Sequence, residues 1–338
     1  ESLTTAVSLS MRPTDPGNQQ HEHLNRGKQT LLLDLHLPES REVLDRLIDS
    51  ADVIMQNFAQ GMAERYGLGY EQVRARKPDI IYFSLSAYGY GGPMGGYRGF
   101  EGNAQAATGL MHRFGGDGPP LGQPYLLDDY GTGVRGAFAI ALGAYHRART
   151  GRGQHINIAL VETATYHQAA FLLDYAGKVW DEPSGVHALG SSPLHRLYRA
   201  RDGWFFLGTD SSDRVRSVVG DGACDERFRE RTVAEWVEQL TAAGVGAHAV
   251  QKVEDLMQDP WVQAHGLSLT QDLPGLGEMT MPGVAARLSR TPLRVGRPVN
   301  PVGSDAPAIL NELGLGERLE DLVRAGAVSL SVREPVPA

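Results

Sequence analysis

Residues 126–133, Leu-Leu-Asp-Asp-Tyr-Gly-Thr-Gly, set two adjacent carboxylates, Asp128 and Asp129, immediately before a glycine-rich turn. A long run of small residues at helical spacing follows, from Val134 to His146. A carboxylate at the mouth of a helix faces unpaired backbone N–H groups and the positive end of the helix dipole. That setting keeps an Asp ionised and can hold an oxyanion beside it, surroundings in which the carboxylate can act as a covalent nucleophile. The same residues would serve equally as a plain helix N-cap, for which Asp is among the best side chains. The local pattern leaves both readings open.

Other candidate chemistries are weaker. Gly131-Thr132-Gly133-Val134-Arg135-Gly136 matches the dinucleotide fingerprint G-x-G-x-x-G. A dinucleotide site also needs a strand before the glycines and an acid about 20 residues beyond them. Residues 123–129 make a poor strand, and Thr150-Gly151-Arg152-Gly153 stands where the acid should be. A nicotinamide or flavin role is therefore set aside. His21-Glu22-His23 lacks a third metal ligand in pattern and reads as a solvated loop, so no metal site is expected. Neither a G-x-S-x-G elbow nor a Walker loop is present. The single cysteine, Cys224, excludes an internal disulfide and reads as an inert thiol.

The elements that must position the two aspartates follow from apolar periodicity. Residues 30–35, 53–55 and 80–85 read as apolar strands, separated by helical patterns around Val43–Ile48 and 70–76. This β-α-β-α-β alternation predicts a parallel sheet covered on both faces, with ligands outside the carboxyl ends of the strands. Asn57-Phe58 and the glycine-rich loop 88–96 fall at such ends. A helix is expected over 102–111, a long helix from Asp129 to about Thr150, a strand over 155–160 and a helix over 162–175. Composition shifts at 181–193, where a domain boundary is placed. Beyond it come a strand over 204–208, helices over 233–243 and 253–258, short strands to about Arg297, and a last helix over 306–326. The fold class is α/β, with a Rossmann-like large domain from residues 1–180 plus 296–338 and a smaller α+β domain over 185–295.

The bulk numbers fit one such globular chain. It has 338 residues, 41% hydrophobic and 21% charged, with 41 glycines. A net charge of −8 argues against a nucleic-acid surface. With no apolar run of membrane-spanning length and no signal peptide in view, a cytoplasmic protein without membrane partners is expected.

Several segments, taken in order, resemble the class III CoA-transferases, the CaiB/BaiF family that includes formyl-CoA transferase, carnitine CoA-transferase and α-methylacyl-CoA racemase. They are Asn25-Arg26-Gly27-Lys28, Leu33-Asp34-Leu35 with Pro38-Glu39, and Ala51-Asp52-Val53-Ile54 leading to Asn57-Phe58. Gly61, Glu64-Arg65, Gly67-Leu68-Gly69-Tyr70, Ser84-Leu85-Ser86-Ala87-Tyr88-Gly89 and Gly92-Pro93 follow. Asp129 with Gly133, 149–155 (Arg-Thr-Gly-Arg-Gly-Gln-His), Trp236, Ala243-Gly244, Asp259-Pro260, Gly266-Leu267 and Arg297-Pro298 complete the set.

The resemblance implies that CoA moves between an acyl-CoA and a small carboxylic acid through covalent intermediates on Asp129, with Glu101 orienting groups nearby. CoA or acyl-CoA enters as substrate and no tightly bound cofactor is implied. Leu33, Asp34, Leu35 and His36 correspond to the adenine pocket, Asn57 and Phe58 to the CoA-binding pair, and Arg65 and Arg98 to phosphate contacts. In the racemase branch a histidine pairs with the aspartate; here Phe100 stands in its place and cannot move a proton, which disfavours racemisation. Residues 190–193 (Gly-Ser-Ser-Pro) match a shielding loop, with fewer glycines than usual. The family's opening strand-helix-strand is absent before Glu1, which leaves a non-catalytic acyl-CoA-binding subunit as the alternative. A homodimer of interlocked chains is also implied.

Overall fold

The computed structural model describes residues 7–9 (backbone), 23–123, 126–273 and 277–331. From the N-terminus the elements are β1 (Val7–Leu9), β2 (Gln29–Leu33), α1 (Ser40–Ser50), β3 (Val53–Gln56), α2 (Met62–Arg65), α3 (Tyr70–Arg76) and β4 (Ile81–Ser86). Next come α4 (Glu101–Ala107), α5 (Leu110–Gly115), α6 (Leu127–Thr150), β5 (Gln154–Ala159) and α7 (Leu160–His167). These are followed by β6 (Gly190–Ser192), β7 (His195–Arg199), β8 (Trp204–Gly208), α8 (Ser212–Val219), α9 (Cys224–Arg227), α10 (Val233–Ala242) and β9 (Gly246–Ala249). The chain continues through α11 (Val253–Gln258), α12 (Pro260–Ala264), β10 (Ser268–Leu273), β11 (Gly277–Pro282), α13 (Ala306–Glu312), α14 (Leu319–Arg324) and β12 (Val328–Ser329).

The described residues fall into two compact units. The first takes those within 1–54, 63–80 and 252–338, the second those within 55–62 and 81–251.

In the first unit β2 is the centre of a three-stranded sheet, parallel to β1 and antiparallel to β12. Its apolar residues Leu31 and Leu33 are buried, as are Val43, Leu44 and Ile48 along one stripe of α1. The buried Asp305 carboxylate ties β2 to the C-terminal segment. It accepts from the Thr30 amide at 2.9 Å, the Asn300 side chain at 2.7 Å and Arg297 at 3.3 Å. The Arg297-Pro298 motif thus reads as structural. The hairpin β10–β11 is antiparallel throughout its described length.

In the second unit β4 and β5 run parallel, from Ile81 opposite Gln154 to Ser86 opposite Ala159, within the sheet β3-β4-β5. Helix α6 packs on β4 and β5, and α7 packs on α6. Residues 190–249 carry the antiparallel sheet β6-β7-β8-β9. Its core is aromatic: Phe228 stands edge-on to Trp236 with centroids 5.1 Å apart, and the indole N–H donates to the Phe228 carbonyl at 2.7 Å. A capping box, Thr232 with Glu235, starts α10.

The chain is a mixed α/β protein with parallel and antiparallel strands, and it departs from the sequence reading in five places. The strands expected in one parallel sheet divide, among the described residues, between two three-stranded sheets, one of them mixed. Periodicity identifies a strand but not its partner. The helix expected over 102–111 breaks into α4 and α5 at Gly109, and the last helix breaks at Gly314. Both glycines have left-handed backbone (φ 85° and 73°), which ends a helix at little cost only for glycine. Helix α7 stops at His167, eight residues short of the expected Tyr175. There the Gln168 side chain donates to the Thr108 and Ala164 carbonyls, and turns follow. Residues 190–192 form strand β6 rather than a loop.

Candidate active site

Helix α6 begins at Leu127, with Leu126 at the N-cap position and no side-chain cap of its own. Asp128 and Asp129 therefore sit inside the first turn, and the plain N-cap reading is corrected. The first-turn amides are capped instead by Glu101, the first residue of α4. Its two oxygens accept from the Asp128 N–H at 3.0 Å and the Asp129 N–H at 2.7 Å. Those amides have no acceptor within their own helix, so a carboxylate here satisfies them and meets the positive end of the dipole. Glu101 is buried and steadied by Gln105, whose amide donates at 2.8 Å while its oxygen accepts from the Gln123 N–H at 3.0 Å.

The two aspartates point to different surroundings. Asp129 is exposed, whereas the Asp128 side chain is 0% exposed. Partial burial, and then the charge of Glu101, raises the pKa of Asp129. Burial first, then Glu101 and Asp129, pushes Asp128 up to about 7. A carboxylate made more basic in this way, and still open to solvent, is a better nucleophile than an ordinary Asp.

Small residues let α6 approach its neighbours. A Cβ at Gly131 would lie 2.6 Å from His167 Cε1, and one at Gly136 would lie 2.7 Å from Phe83 Cζ. Thr132, fully buried, donates to Thr163 Oγ1 at 2.8 Å. The G-x-G-x-x-G match is thus a helix face packed against α7 and β4. It is not a strand-to-helix turn over a pyrophosphate. Pro124 and Tyr125, part of the segment read as a poor strand, lie outside the described residues.

Of the remaining candidates in this unit, Asn57 and Arg98 are exposed and Phe58 is half-buried. Phe100 is 79% exposed, just before α4. The turn at Asn57-Phe58 is held by Gln56, whose oxygen accepts from the Phe58 N–H at 2.7 Å. The Gln56 amide donates to Ser84 Oγ at 2.9 Å and Tyr90 Oη at 3.2 Å, and Ser84 meets His155 Nε2 at 2.9 Å. In the first unit Leu33 is a core residue of β2, while Leu35 is half-buried and Asp34 and His36 are exposed. Asp34 Oδ1 accepts from the His36 N–H at 2.9 Å, and the His36 ring meets the Tyr66 hydroxyl at 3.3 Å. Arg65 is exposed at the end of α2.

Sequence reasoning missed the work of Asp128, Gln105, His167 and Gln56. Two adjacent acids were visible, but no local signal tells which one is buried, and His167 meets Asp128 only through the packing of α7. Burial and Asp225 raise the Cys224 thiol, in keeping with an unreactive cysteine. Among the described residues no cluster of three His, Cys, Asp or Glu could hold a metal, and no helix is long and apolar enough to cross a membrane. His21 and Glu22 of the imagined metal motif lie outside the described residues.

Comparison with known proteins gives concordant matches. The family model for CoA-transferase family III matches residues 9–223 and 216–306. The succinate–glutarate CoA-transferase of Agrobacterium fabrum (strain C58 / ATCC 33970) is 31% identical over 325 residues, covering 87% of this chain and 80% of that protein. The alpha-methylacyl-CoA racemase of Homo sapiens is 27% identical over 331 residues, covering 90% and 86%. The crystal structure of a CAIB/BAIF family protein from Brucella suis matches with a TM-score of 0.73 at 26% identity, covering 86% and 82%.

Proposed function

The chain belongs to CoA-transferase family III, and from that premise we propose that it transfers CoA from an acyl-CoA to a small carboxylic acid with Asp129 as the nucleophile. An Asp129 oxygen attacks the thioester carbon; the C–S bond breaks and CoA leaves as thiolate, giving a mixed anhydride. The thiolate then attacks the aspartyl carbonyl, expels the donor's carboxylate and leaves an aspartyl-CoA thioester. The acceptor carboxylate attacks that thioester, and the released thiolate takes the new acyl group, restoring Asp129. One difficult exchange becomes a series of easier covalent steps.

The observation that carries this reading is Asp129 itself. It is exposed in the first turn of a 24-residue helix, made more basic by burial and by Glu101, and anchored through its own N–H by that same glutamate. Racemisation is disfavoured because exposed Phe100 offers no proton. The adenine pocket is assigned to Asp34, Leu35 and His36 over the strand that Leu33 buries, the CoA-binding pair to Asn57 and Phe58, and the phosphate contacts to Arg65 and Arg98. A carboxylic acid as acceptor is in keeping with the succinate–glutarate CoA-transferase among the relatives.

The division into a large Rossmann-like domain and a small one over 185–295, and a homodimer, belong to the same proposal. The dimer is supported by an exposed apolar stripe on α6, Tyr130, Val134, Phe138, Leu142 and Tyr145, spaced at helical repeats.

The test is incubation with a panel of acyl-CoA donors, quenching, and intact-mass measurement before and after hydroxylamine. A hydroxylamine-sensitive CoA-sized adduct, lost in Asp129→Ala, is expected. CoA binding with no adduct across the panel would overturn the transferase reading in favour of a binding subunit.

A further inference from the structure

Behind Asp129 lies a second carboxyl group with its own partners. Asp128 is fully buried; its Oδ1 lies 3.3 Å from His167 Nδ1, and its Oδ2 is enclosed with no donor to satisfy it. A buried carboxylate oxygen with no donor is costly, whereas a carboxylic acid supplies its own proton. After burial, Glu101 raises the Asp128 pKa both through its charge and as a side-chain hydrogen-bond partner. Two carboxyl groups can hydrogen-bond only if one is protonated, and both Glu101 oxygens already accept backbone N–H groups. The proton therefore belongs on Asp128.

We infer that Asp128 is a positioning residue that acts as a neutral carboxylic acid, donating to Glu101 and accepting from His167. By staying neutral it leaves Asp129 as the one charged carboxylate presented at the mouth of α6. The inference rests on Asp129 being the nucleophile.

The groups facing Asp128 are few. Glu101 comes from α4, Asp129 from α6 itself and His167 from α7. β4 and β5 pack further along α6, where Gly136 and Gly143 meet Phe83, Ile81, Ile156 and Gln154, none of them charged. Gly131 is part of the device, since any side chain there would push the His167 ring from Asp128. Three like charges gathered around one helix start are unfavourable, and the raised pKa of Asp128, about 7, agrees with one of the three staying protonated. When that proton leaves, the added negative charge repels the acceptor carboxylate and the returning thiolate. The prediction is an alkaline fall in transfer that belongs to Asp128.

The test is the pH profile of kcat/KM for the acceptor acid in wild type, Asp128→Asn and His167→Phe, read by its shape. Wild type is expected to fall roughly tenfold per pH unit above the titration. Asp128→Asn should lose that limb. His167→Phe removes a donor that favours the ionised form, so its limb should move to higher pH. An alkaline limb unchanged in Asp128→Asn would overturn the inference. A second readout needs no activity: pH-difference infrared spectra between about pH 6 and pH 8 should contain a carboxylic-acid C=O band that bleaches in wild type, is absent in Asp128→Asn and titrates higher in His167→Phe. Absence of the band in wild type refutes the inference even if Asp128→Asn does not fold. A wild type that shows the band but forms no CoA adduct would refute the nucleophile reading and leave the protonated Asp128 standing.

Discussion

Glu101, Asp128 and Asp129 place three carboxyl groups around one helix start, and their energetics set the first predictions. Glu101→Ala leaves two first-turn amides without an acceptor and should destabilise the protein by about 2 kcal/mol, read by urea denaturation. The Asp128 pKa rises from 3.8 unfolded to about 7 folded, so the folded state keeps a proton that the unfolded state releases. Stability contributed by this group is present below the unfolded pKa and is lost as pH rises from about 4 to about 7, by at most about 4 kcal/mol. Asp128→Asn should therefore gain on wild type as pH rises through that window; a urea-midpoint difference that stays flat from about pH 4 to pH 8 would refute the assignment. At this scale the family resemblance, rather than residue type alone, pointed to Asp129 and Glu101. Nothing local could reveal that Asp128 faces inward, because its partners Glu101 and His167 lie 27 and 39 residues away.

At the scale of elements, the glycines of α6 separate into those that pack and those that do not. An added Cβ at Gly136 would strike the Phe83 ring, whereas at Gly133 it meets nothing within 4 Å. Gly136→Ala should cost about 1–3 kcal/mol by overpacking, while Gly133→Ala should stabilise by about 0.5–1 kcal/mol through helix propensity. Thermal unfolding of the two variants should move in opposite directions. Gln56 joins β3 to β4 and holds the turn that carries Asn57-Phe58. Gln56→Leu should weaken CoA binding roughly tenfold in a calorimetric titration, from the loss of about 1–2 kcal/mol of hydrogen bonding. Apolar pattern located α1, β4 and β8 because each carries one clear apolar stripe or run. It overran α7 and missed the breaks at Gly109 and Gly314, because a glycine's backbone sign cannot be read from its neighbours.

For the whole molecule, the exposed stripe on α6 is the feature that a lone chain in water does not favour. If a second copy covers it, Phe138→Asp should shift the particle from dimer toward monomer in light scattering coupled to size exclusion. A wild type that is monomeric at micromolar concentration would remove the homodimer from the proposal.

The order and spacing of small motifs from Asn25 to Arg297 were enough to point to a CoA-transferase, although no single motif was specific. Asp129 was singled out by the same resemblance, since the local pattern left a plain helix cap equally open. Tertiary structure decided which acid is buried, which carboxylate caps the helix, which strands share a sheet, and that Gly131 and Gly136 of the fingerprint serve packing. These depend on contacts between residues far apart in the chain, and local periodicity and propensity carry no record of them.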